Sequence, residues 1–100
     1  MIIYNVTVSV DREIAADWLS WMKEKHMPDV LATGCFTKSA IFKVLSGEEQ
    51  GGLTYAVQYT ASTMAAYERY RDEFAAGLQT DVLIRYPDRV AAFRTLLEQV

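Results

Sequence analysis

From Tyr4 to Val10 the chain alternates without interruption: Tyr4, Val6, Val8 and Val10 against Asn5, Thr7 and Ser9. A period of two with β-branched residues is a strand whose side chains project to opposite faces. One face is wholly apolar and calls for helices packed upon it. The other, Ile3, Asn5, Thr7 and Ser9, carries no charge but is too polar for a dry core.

The pattern then changes period. Asp11 is placed to cap a helix, with Glu13 in its first turn complementing the dipole. Ile14, Trp18 and Met22, then Ala15, Leu19, Met22 and His26, recur at three and four and give that helix one apolar face. Pro28 disfavours the helical conformation at Met27, so a stop or kink is expected there, with a short turn over 29–32 closed by Gly34. Residues 36–45 and 53–60 read as the next strands, and in the latter Tyr55, Val57 and Tyr59 alternate with Thr54, Ala56, Gln58 and Thr60. Ser46 to Gly52, with three glycines and two adjacent glutamates, suits a hairpin loop. Ser62 or Thr63 caps a second helix with the stripe Tyr67, Tyr70, Phe74, Leu78 and Val82. Gly77 weakens it by about 1 kcal/mol relative to alanine, so a break is expected there. Residues 90–100 fit either period locally, and topology decides. A fourth strand completes a βαββαβ, ferredoxin-like α+β unit: a four-stranded antiparallel sheet with two helices on one face.

One hundred residues, 51% hydrophobic, make one domain over residues 1–100 that buries about two-thirds of its unfolded surface without staples. The bare face of the sheet still needs a cover, and a second copy supplies it, because a two-fold dimer sets one patch against itself. The expected assembly is a homodimeric α/β barrel. A monomer with that face wet is the alternative. Ten basic against thirteen acidic residues, a net charge of −3, exclude a phosphate-binding surface and so a nucleic-acid partner. Residues 1–10 are too short and too polar for a signal peptide or a membrane span. The single cysteine, Cys35, fits a reducing cytoplasm and reads as a small buried hydrophobe.

The segments IIYNVTVSV, WLSWMKEKHMPDVLATGCF, GGLTYAVQY with MAAYERY, and AAFRTLLEQV together resemble a bacterial family of unknown function. The resemblance runs over essentially the whole chain. It implies the ferredoxin-like, dimeric α/β barrel superfamily and supplies no activity, since fold alone does not fix function.

His26, the sole histidine, is the only side chain with an ordinary pKa near neutrality. It reads first as a cap on the C-terminus of the first helix, where the dipole favours the imidazolium. The alternative is a catalytic acid or base at the mouth of a pocket, and the sequence His26-Met27-Pro28 is similar to a helix-ending His-x-Pro in some enzymes of that superfamily. His26 with Asp29 falls short of the three or four ligands zinc prefers, so no metal is expected. No Walker loop, dinucleotide fingerprint or nucleophile elbow occurs, and no cofactor is implied. The superfamily's haem-degrading members need a histidine on the second helix, which residues 62–86 lack.

Trp18 and Trp21 lie about 60° apart around the helix and can flank one groove. With Tyr4, Tyr55, Tyr59, Tyr67 and Tyr70 they form either core packing or the walls of a small apolar cavity. Asn5 and Gln58 are polar within apolar strands and are candidate ligand contacts. Arg94 reads as half of an ion pair at the dimer interface. Two functions remain. One is a non-catalytic dimeric binding or scaffolding domain, with a small apolar or aromatic ligand. The other is a cofactor-free enzyme, monooxygenase- or isomerase-like, with His26 as acid or base and Asn5, Trp21, Tyr55, Gln58 and Tyr59 as contacts. A cavity beside His26 is what separates them.

Overall fold

Strand β1 (Ile2–Asp11) keeps the alternation its sequence shows: Ile2, Tyr4, Val8 and Val10 are buried, while Ile3, Asn5 and Thr7 are half-exposed. The computed structural model describes residues 1–46 and 52–100. After β1 come α1 (Ala15–Trp21), a π-helical turn (Met22–His26) and α2 (Met27–Ala32), which form one deformed helix. Strand β2 (Lys38–Lys43), strand β3 (Gly52–Ala61), helices α3 (Met64–Glu73) and α4 (Ala75–Arg85), and strand β4 (Val90–Glu98) complete the order. The sheet runs β2-β3-β1-β4 and every neighbouring pair is antiparallel. Two helical arms on one face of this sheet make the βαββαβ, ferredoxin-like α+β fold.

Proline explains the first arm. Pro28 has no N–H and its ring crowds the carbonyl four residues back, which a straight α-helix does not accommodate. The strain is absorbed one turn earlier, where the Met27 N–H reaches the Met22 carbonyl across five residues. The helix therefore neither stops nor restarts at Asp29; it continues to Ala32. Thr33 Oγ1 then donates to the Val30 carbonyl at 2.7 Å, and Gly34, at φ 79°, ends the arm.

In the second arm Thr63 is the cap, its hydroxyl accepting from the Ala66 N–H. The break falls at Phe74, not at Gly77: Phe74 leaves helical geometry (φ −124°, ψ −30°) while Gly77 lies inside α4. Asp11 does not cap with its side chain. Its carboxylate instead accepts from Arg89 Nε at 2.6 Å, tying the end of β1 to the turn before β4. The strand expected over 36–45 is trimmed to Lys38–Lys43. Most of the hairpin loop expected over Ser46 to Gly52 lies outside the described residues.

Trp18, Val10, Val30 and Val57 are the largest side chains fully buried between helices and sheet. Each of those valines contributes roughly 1.5–3 kcal/mol by leaving water. Tyr4, Phe36, Tyr59 and Tyr70 form an aromatic block beside them, with ring centroids 4.9–6.1 Å apart. The outer face is different. Lys38, Ala40 and Phe42 of β2 share it with Ala56, Gln58 and Thr60 of β3, Ile3, Asn5 and Thr7 of β1, and Phe93, Thr95 and Leu97 of β4.

Candidate functional site

Between the helices and the β1–β4 half of the sheet the packing is incomplete. A partly open cavity of about 240 Å³ remains there. Its walls are Val6, Val8, Val57, Val90 and Ala92 from the sheet, Trp18 and Met22 from the first arm, and Val82 and Leu83 from α4. Polar groups enter from Tyr4, Tyr59, Tyr70, Gln79, His26 and Arg94. A mostly apolar hollow with a few convergent polar groups is the usual form of a small-molecule site.

His26 is not a C-terminal cap. It sits inside the arm, at the end of the π-helical turn, and is buried. Burial holds its pKa below the ordinary 6.5, outweighing the pull of Asp29 and Asp81 in the other direction, with Lys25 adding to the lowering. The ring is thus neutral near pH 7, the opposite of the charged cap the sequence suggests. Trp21 stacks on it at 5.2 Å and is held in turn by Tyr86, edge-on at 5.7 Å, and by the Arg85 guanidinium at 5.6 Å. Trp21 therefore backs His26 without lining the cavity.

Tyr59 lines the cavity, and burial pushes its phenol well above the ordinary value of 10. Burial likewise raises Tyr4 and Tyr70. These three hydroxyls are neutral donors and acceptors at physiological pH. Tyr55 packs behind the cavity against Trp18 at 5.1 Å. Asn5 and Gln58 are on the other side of the sheet. They are register partners in β1 and β3, Gln58 Nε2 donating to Asn5 Oδ1 at 3.2 Å and Asn5 Nδ2 to Thr7 Oγ1 at 3.1 Å. Of the six candidate residues the fold brings His26 and Tyr59 to the cavity, sets Trp21 behind His26 and Tyr55 behind Trp18, and leaves Asn5 and Gln58 on the opposite face.

Arg94 also departs from its sequence reading. It pairs with Val6 in the β1–β4 register, which places it on the helix face. Its Nε donates to the Tyr4 hydroxyl at 3.0 Å. Counting by twos from Val90 through Ala92 to Arg94 is the signal that finds it. Gln79, which also lines the cavity, carries no such signal in the sequence: it is a polar residue beside Leu78 of the apolar stripe. Trp18 adds a further feature: its Nε1 is buried with no hydrogen-bond partner among the described residues. Among the described residues, no group of three or more His, Cys, Asp or Glu is placed to hold a metal ion. No helix of the described residues is long and apolar enough to cross a membrane.

Fold and cavity together define a ferredoxin-like α+β protein with a hollow between helices and sheet. Residues 1–100 match the family described as Domain of unknown function (DUF4286), and the chain belongs to that family. Solved structures share the fold at low identity. A putative antibiotic biosynthesis monooxygenase from Deinococcus radiodurans has 17% identity and a TM-score of 0.67, over 100% of this chain and 93% of the other. SnoaB, a cofactor-independent oxygenase from Streptomyces nogalater, has 10% and 0.65, over 98% and 92%. An EthD family protein from Bacillus halodurans has 9% and 0.65, over the whole of both chains. No curated protein matches the chain in sequence.

Proposed function

We propose that this chain is a single-domain, homodimeric, cytoplasmic protein that binds a small apolar or aromatic molecule in the hollow beside His26. The observation that carries it is the cavity of about 240 Å³ where a well-packed core has no void of that size. Neither a nucleic acid nor a membrane is a proposed partner, and the buried thiol of Cys35 accords with a reducing compartment.

The dimer would form through the outer face of the sheet. Phe42, Phe93 and Leu97 expose 52%, 63% and 42% of their surface there, around the neutral Asn5–Gln58 pair. That composition suits a two-fold contact. Light scattering at micromolar concentration should return twice the chain mass; the mass of one chain would refute the dimer.

A test of the cavity uses the primary amides of benzoic, phenylacetic and 3-phenylpropionic acids, followed by calorimetry. At least one should bind the native protein, and Val82→Phe, which fills the hollow from α4, should remove that binding. Binding unchanged in Val82→Phe, or absent for these amides and their parent acids alike, would refute a ligand site here. A catalytic version of this reading has one observation in its favour: His26 presents a neutral imidazole, able to take a proton, to the cavity. Two of the structurally similar proteins are named as oxygenases, and likeness of fold does not transfer an activity.

A further inference from the structure

We propose that the occupant of this cavity is a small organic carboxylate, its apolar body between the helices and sheet and its carboxylate on Arg94. The proposal rests on the ligand-binding reading above and adds the chemical class. Among the described residues lining the hollow, Arg94 is the one side chain with a full charge: the imidazole and three phenols are neutral, and no carboxylate faces it. The chain as a whole is acidic, at −3, so this cation stands against the general field of the protein.

Its geometry is that of a receptor. Tyr4 holds Nε at 3.0 Å, which orients the guanidinium at the mouth of the hollow. The two terminal amino groups have no acceptor among the described residues and keep the parallel pair of donors that fits a carboxylate. Deeper in, Val8, Val57, Val82 and Trp18 offer carbon surface and no charge. The volume lies below the range of about 300–1,000 Å³ common to drug-sized ligands, which limits the body to roughly one ring.

The experiment pairs benzoate, phenylacetate and 3-phenylpropionate with their primary amides, titrated calorimetrically into native protein and into Arg94→Met. The acid and amide of each pair have nearly the same shape and differ in charge. Native protein should prefer the acid of the best-binding pair by about tenfold, as expected for a charge-assisted, partly exposed contact. Arg94→Met should abolish that preference and leave amide affinity within about twofold, which also shows that the variant keeps a folded cavity. Amides that bind as tightly as acids, or a preference that survives in Arg94→Met, would overturn the carboxylate assignment while the cavity reading stands. No binding of any of the six overturns both.

Discussion

The bond between Tyr4 and Arg94 can be isolated by a double-mutant cycle, because Tyr4→Phe removes one oxygen and little else. Tyr4 is 4% exposed, and its ring packs on Phe36, Tyr59, Tyr67 and Tyr70 at 5.3–6.1 Å, contacts that phenylalanine repeats. What is lost is the hydroxyl that accepts from Arg94 Nε at 3.0 Å. Hydrogen bonds to a charged group contribute roughly 1.5–3 kcal/mol, against about 0.5–1.5 for neutral pairs. Arg94 is exposed, so water competes for its donors and the lower range applies. Tyr4→Phe should therefore cost about 1 kcal/mol. In a domain of this size that lowers the melting temperature by about 4–8 °C. Arg94→Met removes the same bond but leaves the hydroxyl beside Gln79, and should cost a similar amount or less. The double variant should cost clearly less than the sum of the two, leaving a coupling of about 0.5–1 kcal/mol in urea unfolding. A coupling within about 0.3 kcal/mol of zero would mean that Tyr4 does not hold Arg94, and the receptor geometry at the cavity mouth would fall with it.

His26 should titrate below 6.5 by NMR, because burial disfavours its charged form. Its unfolded form then takes up a proton first, so stability is full above about 6.5 and declines as pH falls toward the folded value. His26→Gln should flatten that acid arm, whereas a titration above 6.5 would restore the cap. Gly77→Ala should stabilise by up to about 1 kcal/mol, since nothing lies within 4 Å of the added Cβ. The same change at Gly34, where φ is 79°, should cost about 1–2 kcal/mol, and equal effects in thermal melts would contradict both assignments. Gln58→Arg places a charge on the outer face opposite Asn5, so the dimer should weaken on the order of 100-fold by dilution light scattering. Unchanged association would remove that face from the interface.

Strand alternation was the most legible signal, because a period of two assigns faces as well as conformation. Tyr4, Val8 and Val10 on one side, with Asn5 and Thr7 on the other, followed directly from it, as did the helix-facing Tyr55, Val57 and Tyr59. The site was legible only in pieces. A strand pattern does not say which face of the sheet carries the cavity, and Asn5 and Gln58 were grouped with His26 across a sheet that separates them. Register was the missing quantity: Arg94 belongs to the site because it pairs with Val6, a relation between residues 88 positions apart. Local propensity also misplaced two irregularities. Gly77 had the composition of a break, yet Phe74 provides it. His26 had the sequence of a helix end, yet Pro28 is accommodated without one.

The π-helical turn has a consequence for how this chain tolerates change in length. An α-helix advances about 100° per residue, so one additional residue in a turn rotates everything beyond it by nearly a third of a revolution. Ala15, Trp18 and Met22 face the core at ordinary spacing, and beyond the turn two consecutive residues, His26 and Met27, both face it before Val30 follows. The turn thus has the form of a single inserted residue that the helix has absorbed rather than expelled. Removing one residue between Met22 and His26 would return the turn to α-helical winding and leave Trp18, His26 and Val30 on the core face, because the widened turn already cancels the extra residue's rotation. The same deletion inside α1 or α2, where the winding has no such slack, would rotate what lies beyond it by about 100° and carry either Trp18 or Val30 away from the core, so it is at this turn that the arm absorbs a change in length.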